Sequence, residues 1–347
     1  VYCAIYVDDY LCTGDGDVAQ FKQDLFNAFT MEDRGQCEWC LGVQVTHKQG
    51  AISLNQTKFI TDVAEKFNLT TYRNTGVPGV RGLSLHLLDM PANKRVPVDG
   101  NLYRSKVGSI LYIMLATRPD LAYQATAVSR YMQSPLQGHM DAVNKLIAYA
   151  YQTREYELTY SMPSVPDYHN MAYMFVDAAY NDVTDTGAST GGRLMMINGA
   201  AVSWKSKTLH TPRSTTEAEY MALSLGESEC QNIRTLMDAM GYRQTSPTAI
   251  YEDNMGAMLL AHDPKFHERT KHIRPHYHAV RESIGRGEVE VVYCPTEYQA
   301  ADILTKTLDA NKTKYFTDII LGNTIDYSNY ADLPRHQSAI LQKKNAI

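Results

Sequence analysis

No stretch of the 347-residue sequence approaches the roughly 20 consecutive apolar residues that a membrane-spanning helix needs. The first residues do not show the charged, apolar and small-residue order of a secretory signal. Basic charge is not in excess either. The 33 Lys and Arg are outnumbered by 38 Asp and Glu, giving a net charge of −5 and a pI near 6.1. A global basic field of the kind that attracts polyanions is therefore excluded, and any such site has to be a local patch. Cysteine is sparse: Cys3, Cys12, Cys37, Cys40, Cys230 and Cys294 are scattered along the chain. That spacing is no disulfide framework and reads as reduced thiols of an intracellular protein. "CEWC" at 37–40 is a lone C-x-x-C. A structural zinc site needs four ligands, and no second pair follows. Internal repeats and low-complexity tracts are missing too.

What is present is an ordinary globular composition, 44% hydrophobic and 20% charged, in a chain long enough for two or three domains. "YCAIYV" and "YLCT" flank the pair Asp8-Asp9 as a hairpin, the first strand read as buried. A helix follows over 17–29 with Asp17 as its N-cap, then a hairpin over 40–55 turning at Gln49-Gly50, then an amphipathic helix over 55–67. Residues 70–101 are rich in proline and glycine turns and lack periodicity, so they read as a linker or extended loop. Three helical patterns occupy 103–153, and a second linker spans 161–170.

After residue 170 the pattern restarts as three antiparallel strands, a long helix, the strand "TAIYED", two helices, the strand "EVEVVYC" and a last helix in "YQAADILTKTL". The order is βββαβαβα. Beyond residue 322 the sequence is polar and weakly patterned, and a poorly ordered tail is expected.

Four acidic residues stand at the ends of these elements: Asp177, Glu219, Asp253 and Asp302. Each alone is more often a helix cap, since carboxylates favour helix N-termini. Brought together they would repel unless divalent metal lay among them, and hard oxygen ligands suit Mg²⁺ or Mn²⁺. Two such ions can drive phosphodiester hydrolysis.

The motifs "YVDD" (6–9), "YRSKVGSILYI" (103–113), "TRPDLAY" (117–123), "SRYMQSP" (129–135), "VDAAY" (176–180), "VSWKSK" (202–207), "STTEAEYMAL" (214–223), "RTKHI" (269–273) and "ADILTK" (301–306) occur in this order. The chain resembles the reverse transcriptase–ribonuclease H segment of copia-type retrotransposon polyproteins over nearly all of residues 1–321. The resemblance implies the C-terminal palm and thumb of a reverse transcriptase over 1–70, a linker and helical connection over 71–160, and a ribonuclease H domain over 170–310. It implies that Asp177, Glu219, Asp253 and Asp302 are catalytic and hold two metal ions, and that the RNA strand of an RNA–DNA hybrid is the substrate. Glu219 is preferred over Glu217, which lies about 200° away around the helix. It also implies that Asp8 and Asp9 hold polymerase metal, although the third aspartate of such a site would lie upstream of Val1.

The chain, which starts without Met, is expected to be a fragment of the polyprotein, located in the cytoplasmic particle or the nucleus. The rival readings are a decayed copy that binds nucleic acid or is inert, and a strand transferase on the same fold. Two departures stand out: "CPTEYQAA" lacks a loop histidine, with Glu297 a weak substitute, and Arg274 replaces a common acid.

Two basic segments suit nucleic-acid phosphates. Lys205, Lys207, His210 and Arg213 lead into the Glu219 helix. Arg269, Lys271 and His272 lie in a Lys- and Arg-rich run, whose histidines could alternatively hold metal.

Overall fold

The computed structural model describes residues 1–73, 76–79, 85–86, 89–163, 169–183, 186–209, 212–262 and 274–323. The chain opens with strands β1 (Tyr2–Tyr6) and β2 (Asp9–Thr13), an antiparallel hairpin in which Tyr6 faces Asp9. The strand read as buried is largely exposed, with Ile5 at 62% and Val7 at 77% accessibility. The hairpin forms a two-stranded sheet of its own, and two strands alone bury little surface. The Tyr2 hydroxyl anchors it by donating to the Met240 carbonyl. Helix α1 (Val18–Ala28) follows, with Asp17 capping the Gln20 amide at 2.9 Å.

Strands β3 (Trp39–Cys40), β4 (Val43–Lys48) and β5 (Ala51–Asn55) form antiparallel pairs. Gly50 takes φ 71° in the β4–β5 turn, the left-handed conformation glycine adopts without cost. Helix α2 (Thr57–Lys66) buries Ile60, Val63 and Ala64. Three further helices fill the expected helical region: α3 (Gly100–Ala116), α4 (Ala122–Ser129) and α5 (Gln137–Gln152). Asp99 caps α3 through the Asn101 and Leu102 amides. Strand β6 (Leu158–Ser161) then returns to pair with β5, completing a four-stranded sheet that joins residues 39–55 to the end of the helical region.

The second sheet is built from β7 (Ala172–Val183), β8 (Ala188–Ile197) and β9 (Ala200–Leu209), all antiparallel. Helix α6 (Thr215–Ala239) leads to β10 (Thr248–Glu252), which runs parallel to β7. Helices α7 (Met255–His262) and α8 (Arg274–Gly285) precede β11 (Val289–Tyr293), parallel to β10. The strand order is β11-β10-β7-β8-β9. This is the ribonuclease H-like mixed α/β arrangement expected from the sequence.

Strand periodicity explains how both faces of this sheet are covered. Met174 and Val176 point to one face and join Tyr220, Leu223 and Cys230 of α6, with Ala257 of α7 and Val280 of α8. Tyr173 and Phe175 point to the other and join Val107, Ile110, Leu121 and Val128 of the helical region in one continuous core.

The chain's end departs from expectation. The α-helix read over "YQAADILTKTL" is two 3₁₀ turns, Thr296–Tyr298 and Ala300–Leu304. The cause is tertiary: Gln299 is fully buried and bonded to the Tyr251 carbonyl, and the second turn presses against Gly192 of β8. A true helix, α9 (Ala310–Ile320), comes later and buries Phe316, Ile319 and Ile320. Most of the tail read from 322 lies outside the described residues.

Candidate metal centre and active site

Asp177 belongs to β7 and is paired with Gly192 of β8. Glu219 sits in the second turn of α6, and Asp253 directly follows β10. Ligand oxygens of these three residues all lie within 4.8 Å of one another. Glycine brings the fourth acidic element, the Asp302 turn, against the same sheet. A Cβ on Gly192 would stand 2.8 Å from Thr305 Cγ2 and 2.9 Å from Leu304 Cβ, so only glycine lets the Asp302 turn lie on the sheet there.

Ser214 and Glu217 divide the N-terminal work of α6. Ser214 Oγ accepts from the Glu217 amide at 3.2 Å, and the Glu217 carboxylate accepts from the Arg213 amide at 2.8 Å. Glu217 is thus committed to the cap while Glu219 turns inward, as the helical spacing implied.

Asp302 is 2% exposed, and its nearest partner is a cation. Lys306 Nζ lies 2.7 Å from Asp302 Oδ1 and 3.6 Å from Asp177 Oδ2. Asp302 therefore reaches Asp177 through an ammonium and stands outside the three-carboxylate group. The Thr305 hydroxyl donates to Asp177, and Thr296 donates to Asp253 at 2.8 Å.

Four residues were not singled out in the sequence as parts of this site: Lys306, Thr305, Thr296 and Glu252. Lys306 carried a usable signal, the i,i+4 spacing from Asp302 in "ADILTK". Glu252 carried none, because it ends an apolar strand in which every residue is buried.

The electrostatics favour a cation here. Burial, followed by Glu252, Asp177 and Asp253, pushes the Glu219 carboxyl up to about 11. Burial raises Asp177 and Glu252 as well, and Asp302 is raised to about 7 by burial and Asp177. Burial works against the charge on Lys306, but Asp177 and Asp302 outweigh it and raise its pKa. Glu219 Oε2 is buried without a hydrogen-bond partner. An unpartnered buried oxygen facing two further carboxylates fits a hard divalent cation. Asp177, Glu219 and Asp253 are the residues to hold it.

The other candidates are elsewhere. Asp8 and Asp9 lie exposed at the tip of the first hairpin, next to Val7 at φ 53°. Among the described residues, no third acidic, histidine or cysteine ligand joins them. Lys205 and Lys207 are exposed and, two apart on the edge strand β9, share one side of the sheet. Arg213 is exposed just ahead of α6. Trp204 donates to the Met114 carbonyl at 3.0 Å and packs against the helical region. Arg269, Lys271 and His272, like His210, lie outside the described residues. Among the described residues no helix is long and apolar enough to cross a membrane.

Comparison with known proteins gives the lineage. Residues 1–81 match the family model of reverse transcriptase (RNA-dependent DNA polymerase). The chain is 31% identical over 323 residues to the retrovirus-related Pol polyprotein from transposon RE1 of Arabidopsis thaliana, covering 92% of this chain and 21% of that protein. It is 32% identical to the corresponding polyprotein from transposon TNT 1-94 of Nicotiana tabacum, covering 91% of this chain and 24% of the relative. A transposon Ty5-1 protein of Saccharomyces cerevisiae is 30% identical, with 65% of this chain and 72% of that protein aligned. The chain belongs to the copia-type, retrovirus-related Pol polyproteins of transposons. It spans about a fifth of the length of the first of these curated relatives. Among solved structures, the ribonuclease H1 named LC11, isolated from compost, aligns with a TM-score of 0.31 and 17% identity, over 39% of this chain and 93% of that one.

Proposed function

We propose that residues 170–310 form a ribonuclease H that cleaves the RNA strand of RNA–DNA hybrids, using Mg²⁺ or Mn²⁺. Residues 1–70 would supply the end of a reverse transcriptase palm and thumb, and residues 71–160 the connection. The observation that carries this is the convergence of Asp177, Glu219 and Asp253 within 4.8 Å, from a strand, a helix and a strand end.

A divalent ion held there supplies charge to stabilise phosphoryl oxygens and to make water more acidic. The protein's share is placement. Thr305 and Thr296 fix the rotamers of Asp177 and Asp253 by hydrogen bonds. Asp302, paired with Lys306 beside Asp177, would add a fourth carboxylate should a second ion be held. Lys205, Lys207 and Arg213, with Arg269, Lys271 and His272, are proposed to contact the hybrid's phosphates. Recognition then follows backbone shape and 2′-hydroxyls instead of sequence. Asp8 and Asp9 are proposed to hold polymerase metal. The setting proposed is the retrotransposon particle in the cytoplasm, or the nucleus.

The test is cleavage of a labelled hybrid by the full chain, Asp177→Asn and Asp253→Asn, each checked for fold by circular dichroism. The unsubstituted chain should cut in Mg²⁺ or Mn²⁺, and both variants should fall to background. Undiminished cleavage by either variant, or cleavage in EDTA, sinks the assignment. A folded chain without cleavage in either metal leaves the decayed-copy reading.

A further inference from the structure

The stretch "YCAIYVDDYLC" puts a cysteine on each strand of the first hairpin. The strands pair so that Cys3 stands directly opposite Cys12. Tyr6 and Asp9 close the two-residue loop Val7-Asp8, and the pair that closes such a loop is hydrogen-bonded. Bonded and non-bonded pairs alternate along an antiparallel ladder, which makes Cys3–Cys12 a non-bonded pair. At such a pair the Cα atoms are about 4.5 Å apart and the side chains approach closely. That spacing falls within the roughly 4.4–6.8 Å that a disulfide spans.

The sulfurs are already in contact: Cys12 Sγ donates to Cys3 Sγ at 3.3 Å. Both cysteines are half-buried in a hairpin that is a sheet of its own, so a small solute reaches them. The other cysteines are placed differently. Cys37 donates to the Trp39 carbonyl at 3.7 Å, and Cys40 stands opposite Val43. Cys230 and Cys294 are fully buried in separate cores.

The two strands are not held equally. Tyr2, next to Cys3, ties β1 to the Met240 carbonyl at the end of α6. Strand β2 pairs with β1 alone, and a two-stranded ribbon is marginally stable by itself. We propose that Cys3 and Cys12 form a reversible redox-modification site, oxidised by a low-molecular-weight disulfide to a cross-strand bond that fastens β2 to the anchored β1. The tip so fastened carries Asp8 and Asp9.

The chemistry is thiol–disulfide exchange. One cysteine thiolate attacks a sulfur of glutathione disulfide, breaks its S–S bond and expels one glutathione thiolate. The second cysteine thiolate attacks the protein sulfur of that mixed disulfide, forms the Cys3–Cys12 bond and expels the second glutathione. Two electrons pass to the oxidant, and the two thiol protons end on the two released glutathiones. Excess thiol reverses both steps, in keeping with the transient, redox-sensing disulfides of reducing compartments.

The experiment is incubation of the full chain with glutathione disulfide, alkylation with iodoacetamide, and mass spectrometry of tryptic peptides. Lys22 is the first Lys or Arg, so both cysteines lie in one peptide, residues 1–22. That peptide should be two hydrogens lighter and unalkylated, and dithiothreitol should return it to two alkylated thiols. Cys12→Ser should instead retain glutathione on Cys3, because the resolving thiol is gone. Hydrogen exchange at the β2 amides should slow about tenfold in the oxidised parent and stay unchanged in oxidant-treated Cys12→Ser.

Two free thiols or two glutathiones on the peptide overturn the proposal, as does a bond from Cys3 or Cys12 to Cys37 or Cys40 in its place. A Cys3–Cys12 bond that leaves β2 exchange unchanged also overturns it, since nothing has then been fastened. If Cys12→Ser does not fold by circular dichroism, the parent's peptide mass and exchange rates decide alone.

Discussion

Gly226 of α6 approaches β7 so closely that a Cβ in its place would stand 2.5 Å from Val176 Cγ1. Gly226 lies two helical turns beyond Glu219 on the same face, and Val176 precedes Asp177. This contact therefore sets the distance between the elements that carry two of the three clustered carboxylates. Gly226→Ala should cost about 1–3 kcal/mol through overpacking and should weaken Mn²⁺ binding as α6 is pushed away. Gly108, exposed in α3 with no neighbouring atom within 4 Å of the place an alanine methyl would take, is the control. Gly108→Ala should gain roughly 0.5–1 kcal/mol. Urea unfolding of both variants measures the opposite signs.

Divalent metal should stabilise the folded chain, because the unfolded chain does not assemble Asp177, Glu219 and Asp253. At a free metal concentration about 100 times Kd, the gain is about 2.7 kcal/mol. Thermal melts should show the transition moving up in MgCl₂ and back in EDTA. Asp177→Asn should lose most of that shift. An unchanged melting temperature in the parent would contradict the ligand assignment.

Arg118 and Asp120 form a wholly buried ion pair, with Nε to Oδ1 at 2.9 Å and an Nη to Oδ2 at 2.7 Å. Arg118 also reaches the Thr153 carbonyl and hydroxyl, tying the turn after α3 to the end of α5. Asp120→Asn leaves the guanidinium buried without its counter-charge and should cost about 3–5 kcal/mol. Arg118→Met with Asp120→Leu should cost less than the sum of the two single changes. Strict additivity in the double-mutant cycle would show that the pair is not coupled.

Asp182 has a raised pKa because it is buried, an effect only partly offset by its bond from Thr190 and by Arg130. The folded state thus holds this proton more tightly than the unfolded chain, where Asp titrates near about 3.9. The resulting stability is fully present below that value and is lost as pH rises through the raised folded pKa. Stability of the parent relative to Asp182→Asn should therefore decline from about pH 4 upward and then level off. Urea titrations across that range check the sign, and a rising difference would refute it.

Much of this was legible in the chain. Asp17 as a cap, the turn at Gln49-Gly50, the succession of elements from β7 to β11 and the approach of Asp177, Glu219 and Asp253 all follow from local chemistry or resemblance. The missed features depend on contacts distant in sequence. The exposure of β1 reflects what does not pack on it, which no strand pattern can reveal. The 3₁₀ turn at 300–304 exists because Gln299 is buried against β10 and because Gly192 admits it. Lys306 acquires its place only once that turn brings Asp302 alongside Asp177. Helix α9 could have been read: Asp309 caps it, and Phe316, Ile319 and Ile320 share a face.

The sheet that carries Asp177 is roofed on one side by chain that precedes it. Tyr173, Phe175 and Tyr251 share their core with Val107, Ile110 and Val128, and Trp204 bonds to Met114. Gln124 of α4 bonds to Thr307 at 2.7 Å, next to Lys306. Such a sheet is not a self-sufficient cassette. A recombination breakpoint between α5 and β7 would hand on the carboxylates while stripping aromatic side chains of their cover. An exchange partner would have to bring helices shaped to the same face.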